Sequence, residues 1–326
     1  MLVFLCIFRD NEWEGMPVRN YQLTIADGAK KIFPALAHLG GASRQGDQIS
    51  FTNYYMEMNK KPFFAICGEF HFSRYSHDRW EDELIKMKMG GINIISTYVF
   101  WNHHEEIEGS FDWKENKNIR KFIQLCSKHG LYVILRIGPF AHGEVRNGGM
   151  PDWLYGRPFN IRSNDKDYLE YVNRFYQQIA QEISDLLFAD NGPIIATQLE
   201  NEFQHAGSPW ELTTGTTNEW LPSGQGGEAH IKILKKMAVK AGIQTPIYTA
   251  TAWGGGAVAP TDEVLPYGAV MPTGHGYFME MLQNILPLRA LLFVIITIII
   301  DPQPLILSLY INQRTFPFHV QKWGEA

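Results

Sequence analysis

The sequence predicts an α/β fold, an incomplete (β/α)8 TIM-type barrel with about five to six βα units recognisable. Three observations predict it. Short apolar runs alternate with amphipathic helical stretches from Lys61 onward, the signature of parallel βαβ units. The runs end abruptly in polar or aromatic residues, and the loops after them are long, as at the C-terminal mouth of a barrel. No Gly-x-Gly-x-x-Gly fingerprint follows any run, which argues against a doubly wound dinucleotide-binding sheet.

The elements follow in order. Residues 1–60 are poorly patterned. Phe63 to Gly68 is the first strand expected, followed by a helix over Asp78 to Met89 with Trp80, Leu84 and Met87 at helical spacing and Gly90-Gly91 as its stop. Ile92 to Phe100 is the second strand. The second helix runs near Asn118 to His129 with Ile119, Phe122, Ile123 and Cys126 on one face, and Leu131 to Ile137 is the third strand. The third helix, Asp165 to about Leu187, is the clearest, with Tyr168, Val172, Phe175, Ile179, Ile183 and Leu186 at helical spacing. The turn Asn191-Gly192-Pro193 opens a fourth strand, Ile194-Ile195-Ala196, which breaks into Gln198, Glu200, Asn201 and Glu202. A fourth helix near Glu228 to Lys240 and a fifth strand, Pro246 to Ala252, complete the regular part. A sixth strand is expected near Val270. The barrel portion is therefore 61–276, and 277–326 is a divergent apolar tail without the strand-loop-helix beat. Within it Leu291 to Ile300 is uncharged, β-prone and free of proline, which suits an aggregation-prone segment or a makeshift strand.

Composition narrows the function. A net charge of −5 argues against nucleic acid as a partner. The run Ala290 to Ile300 falls short of the ~20 residues that span a bilayer, so no membrane span is expected. Met1 to Phe8 is apolar but short and runs into Arg9-Asp10 without a cleavage site, so no signal peptide is read and the default compartment is cytoplasmic. Cys6, Cys67 and Cys126 lack disulfide or metal spacing and read as ordinary thiols. The cluster His103-His104-Glu105-Glu106 is a poor metal site, because neighbours along an extended chain point to opposite faces. No cofactor is expected.

The strand ends carry the chemistry. They contribute Gly68-Glu69-Phe70-His71, Thr97-Tyr98-Val99-Phe100-Trp101-Asn102, His104-Glu105, Arg136-Ile137-Gly138-Pro139-Phe140, and Glu144. The loop Gly149-Met150-Pro151-Asp152-Trp153-Leu154 adds a turn and a Trp. Carboxylates, amides, a guanidinium and flat aromatic rings are what a sugar site needs, and cleavage of a glycosidic bond takes two carboxyl groups.

These blocks, with Gly192-Pro193 through Glu200-Asn201-Glu202-Phe203, resemble glycoside hydrolase family 35, the β-galactosidases, over roughly three-fifths of the chain, Lys61 to Ala259. The resemblance implies a (β/α)8 barrel and a retaining hydrolysis of terminal, non-reducing β-D-galactosyl residues on an oligosaccharide or glycoconjugate. It implies Glu202 as acid/base, with Asn201 on the sugar's 2-hydroxyl and Tyr98 and Glu144 on the galactosyl ring. Glu200 is read as a residue that holds its neighbours by hydrogen bonds. The family's nucleophile is a Glu ending the seventh strand. Glu280 is the nearest candidate, and its surroundings do not match the family pattern. The rival reading is accordingly a non-catalytic, sugar-binding or inert fragment of such an enzyme, truncated or frameshifted after about Gly276.

Overall fold

A computed structural model describes residues 32–34, 41–52, 55–201, 203, 227–251, 265–268 and 294–296. The described chain starts with four short strands: β1 (Gly41–Ala42), β2 (Gln48–Phe51), β3 (Met56–Met58) and β4 (Lys61–Phe63). They form an antiparallel meander in chain order. Residues 1–60 give no such warning, because each strand brings only one or two apolar residues, too few to show a period of two. The β3–β4 hairpin crosses position 60, pairing Met58 with Lys61.

Seven parallel strands follow in the order β11-β5-β6-β7-β8-β9-β10. They are β5 (Ile66–Glu69), β6 (Ile94–Tyr98), β7 (Tyr132–Arg136), β8 (Ile194–Asn201), β9 (Ile247–Thr251), β10 (Leu265–Gly268) and β11 (Val294–Ile296). The strand expected over Phe63 to Gly68 is divided between two sheets. Phe63 ends β4, and the chain turns through an exposed Phe64 before β5 begins at Ile66. The fourth strand is longer than its apolar run suggests, because Thr197 and Gln198 continue the ladder and all eight residues of β8 are buried. The sixth strand lies at Leu265–Gly268, and Val270 is outside the described residues. Three residues of the apolar tail form β11, paired in parallel with β5 from Val294↔Ile66 to Ile296↔Gly68.

The helices are α1 (Trp80–Met89), α2 (Trp101–His104), α3 (Ile119–Lys128), α4 (Lys166–Ile183) and α5 (Gly227–Ala241). Asn118 caps α3 by accepting from the Lys121 N–H at 2.8 Å, and Asp165 caps α4 by accepting from the Asp167 N–H at 3.0 Å. Alternate strand residues serve two cores. Ile95, Val133 and Leu135 join Leu84, Phe122, Phe175, Ile179 and Leu234 of the helices. Cys67, Ile94, Ile134 and Tyr248 join Ile49, Phe51 and Met56 of the meander. Burial on both faces is the condition of a parallel sheet, and it leaves charged side chains room at the strand ends. Among the described residues no helix is long and apolar enough to cross a membrane.

The turn into β8 is tightly fitted. Asn191 is left-handed (φ 67°), and a Cβ on Gly192 would lie 2.1 Å from the backbone carbonyl of Leu186. Gly192→Ala should lower stability by about 2–3 kcal/mol. Gly41→Ala, where a Cβ meets only ordinary contacts at 3.7 Å or more, should stay within about 0.5 kcal/mol. Urea unfolding of both variants checks this, and equal midpoints would remove the steric account.

Candidate active site

At the C-terminal ends of the parallel strands three of them meet on one guanidinium. Arg136, the last residue of β7, donates from Nη1 to Glu69 at the end of β5 and from Nη2 to Asn201 Oδ1 at the end of β8, at 2.7 Å in the latter case. Its Cζ lies 3.7 Å from the ring centroid of Tyr98, the last residue of β6. Arginine keeps its charge at any relevant pH, so burial obliges it to find a carboxylate, an amide oxygen or a ring face. Here it finds all three.

Glu69 is held from the other side by His71, whose Nε2 lies 2.7 Å from Oε1. Arg74 Nη1 lies 3.2 Å from His71 Nδ1 and can only donate, so Nδ1 accepts and Nε2–H is the donor to Glu69. Burial works to raise the Glu69 carboxyl, but Arg136 and His71 outweigh it and hold it below its ordinary 4.5. Burial pushes the Tyr98 hydroxyl well above its ordinary value; Arg136 opposes this, while the Glu69 and Glu144 charges reinforce it. Tyr98 therefore remains a neutral O–H donor. Its ring stacks on Phe100 with centroids 5.1 Å apart. The loop after β7 lies against this pair: a Cβ on Gly143 would be 2.7 Å from Phe100, and Gly143's carbonyl accepts from Arg74 at 2.9 Å. Glu144, next in that loop, is exposed and left-handed (φ 50°).

The end of β8 departs from regular strand geometry. Gln198 Nε2 donates to Asn201 Oδ1 at 3.2 Å, so residues three apart share a face, which a strand of period two forbids. The pairing of β8 with β9 shifts register between Gln198 and Asn201, and Glu200 is left-handed (φ 53°), as in a bulge. The bulge sends the Glu200 carboxylate to Arg162, which donates to Oε2 from Nε at 3.1 Å and from Nη2 at 2.6 Å. His230 of α5 lies 3.7 Å from Oε1. Burial again works to raise this carboxyl, and Arg162 and His230 keep it below the ordinary value.

The structure thus gathers Tyr98 and Asn201 on Arg136, with the Glu144 charge reaching Tyr98. Glu202 and Glu280 lie outside the described residues. The His-rich run has other partners: His103 bonds Ser73 at 2.9 Å, His104 stacks on Trp113 at 4.0 Å, and Glu105 accepts from Trp101 Nε1 at 2.6 Å and pairs with Arg174 at 2.5 Å. Cys67 and Cys126 are buried free thiols, both raised by burial, Cys67 to about 12.

The family model for glycosyl hydrolases family 35 matches residues 55–264. The chain belongs to this family. Beta-galactosidase of Homo sapiens is 37% identical over 166 residues, which cover 51% of this chain and 24% of that protein. Beta-galactosidase of Mus musculus is 41% identical over 144 residues, 44% of this chain and 22% of that protein. Beta-galactosidase-1-like protein 3 of Rattus norvegicus is 36% identical over 150 residues, 46% of this chain and 24% of that protein. The chain spans about a quarter of the length of these curated relatives. Among solved structures, the exo-beta-1,4-mannosidase Op5Man5 from Opitutaceae bacterium strain TAV5 aligns with a TM-score of 0.46 at 12% identity, covering 67% of this chain and 34% of that one.

In this family 35 chain, sequence reasoning missed the parts played by Arg136, His71, Arg162 and His230. The signal for Arg136 was present, a guanidinium closing the apolar run Val133-Ile134-Leu135. Arg162 and His230 carry no local signal, since their partner Glu200 is remote in sequence.

The two lowered carboxyls set a pH dependence. The unfolded chain takes up these protons near 4.5, whereas the folded chain resists until lower pH, so protons favour unfolding. Their stabilisation is complete above about 4.5 and is lost as pH falls through the lowered folded values. Urea midpoints measured from neutral pH down to about pH 3 should fall below 4.5, and Glu69→Gln should flatten part of that fall. An unchanged slope in Glu69→Gln would contradict the pairing.

Proposed function

We propose that this chain carries the galactosyl-binding and acid/base groups of a retaining β-galactosidase, acting on terminal non-reducing β-D-galactosyl residues of an oligosaccharide or glycoconjugate. The observation that carries the reading is the gathering of Tyr98, Glu69 and Asn201 on Arg136 at the C-terminal ends of parallel strands, in a family 35 chain. Relatives named beta-galactosidase support the sugar. The scaffold we propose is a (β/α)8 barrel with β5 to β10 as strands one to six and β11 beside β5 on the closing side.

Asn201 and Tyr98 bind the ring through the 2-hydroxyl and neighbouring hydroxyls, and Glu144 closes on it from the loop after β7. Glu202 donates a proton to the leaving oxygen while a carboxylate attacks the anomeric carbon. Water then attacks the glycosyl-enzyme, with Glu202 taking its proton. Glu69 and Glu200 are ion-paired to arginines and are poor nucleophiles. The nucleophile is assigned to neither, and Glu280 remains the sequence's candidate. The same observation favours a second reading, in which the chain binds galactose without turning it over.

The test is hydrolysis of an aryl β-galactoside followed by proton NMR, with galactose binding measured by calorimetry. Turnover on the order of 1 per second or faster, with β-galactose as first product, supports the reading. α-Galactose as first product refutes retention; binding without turnover selects the second reading; neither binding nor turnover sinks both.

A second experiment addresses Glu202. In an active chain, Glu202→Ala should slow substrates with poor leaving groups far more than those with good ones, and added azide should yield a β-galactosyl azide. Equal losses with no azide product would remove Glu202 from the acid/base role.

A further inference from the structure

Arg162 touches the chain on both sides of position 202. It binds the Glu200 carboxylate through two nitrogens, and its Nη2 also donates to the Asn201 carbonyl at 3.0 Å. Its Cζ lies 3.7 Å from the ring centroid of Phe140 and 5.4 Å from that of Phe203. Both charged side chains are shut away from solvent, at 2% and 0% exposure. Arg162 and Glu200 are each left-handed, at φ 50° and 53°. Neither is glycine, and such backbone strain persists where surrounding contacts over-determine it.

We propose that Arg162 is a positioning residue for the acid/base segment: by tying the Glu200 carboxylate to the Asn201 carbonyl, it fixes the bulge that aims the Asn201 side chain at Arg136 and sets the peptide leading into position 202. A buried ion pair that served packing alone could be exchanged for apolar residues of similar volume with little loss. The bond to the Asn201 carbonyl has no apolar substitute. Lysine is no equivalent either, because one ammonium lacks the planar fork that serves a carboxylate and a carbonyl together. The orientation of Asn201 follows from contacts described above; the catalytic consequence rests on the galactosidase reading.

The full chain is compared with Arg162→Met/Glu200→Leu, which removes both charges, and with Arg162→Lys, which keeps the charge if the double variant does not fold. Two readouts separate positioning from stability. The first is the ¹⁵N–¹H signal of the Asn201 side-chain amide, assigned by its loss in Asn201→Asp. The second is kcat and KM for aryl β-galactosides with good and poor leaving groups. In a variant that still unfolds cooperatively, the Asn201 signal should shift or broaden, and kcat for the poor leaving group should fall about 100-fold, the scale of a misplacement near 1 Å. KM should change much less. An Asn201 signal superimposable on that of the unmodified chain overturns the proposal, as does a loss equal for both leaving groups. Should the unmodified chain not turn over galactosides, the galactosidase reading fails by itself, and the Asn201 signal alone decides the role of Arg162.

Discussion

A guanidinium largely covered where parallel strands end cannot lose its proton, so the surrounding strands must answer it. Arg136 imposes this constraint, and Glu69, Tyr98 and Asn201 meet it from β5, β6 and β8 in turn. The demand fixes three side chains relative to one another without any ligand present. A pre-set site of this kind lets binding free energy act on a ligand instead of on ordering the protein. The two sheet faces, sealed by helices on one side and the meander on the other, leave the strand ends as the place where such polar groups can collect.

The bulge at Glu200 is the second half of the same arrangement. On spacing alone, Gln198 and Glu200 should share one strand face and Asn201 the other. The left-handed Glu200 breaks that alternation, so Asn201 joins Gln198 and turns to Arg136, while Glu200 is drawn away to Arg162. Each carboxylate is matched by its own arginine, Glu69 by Arg136 and Glu200 by Arg162. These two negative charges are therefore compensated, and the depressed carboxyls are acid-labile supports of the fold.

Much of the fold was legible because its signals are local. The apolar stripes of α3 and α4, the caps Asn118 and Asp165, and the turn at Gly192 each lie within a few residues of what they determine. The meander was not legible, because strands as short as Gly41–Ala42 carry no period. At the site, residue types at the strand ends were readable and their pairings were not. Arg136 reaches Glu69 across 67 residues and Asn201 across 65, and Arg162 reaches Glu200 across 38. Such pairs are set by strand order and register, which no window of sequence contains. The division of Phe63 from Ile66 between two sheets has the same origin: an apolar run does not say which sheet its residues join.

The central claim, that Arg136 holds Tyr98 and Asn201 as the walls of a galactosyl pocket, is tested most directly by a crystal structure of the chain with galactose bound. The account predicts the sugar's 2-hydroxyl within hydrogen-bonding distance of Asn201, about 2.7–3.2 Å, with the Tyr98 hydroxyl on the same ring and the Arg136 contacts retained. Galactose bound away from Tyr98 and Asn201, or an Asn201 that leaves Arg136 without meeting the sugar, would contradict it.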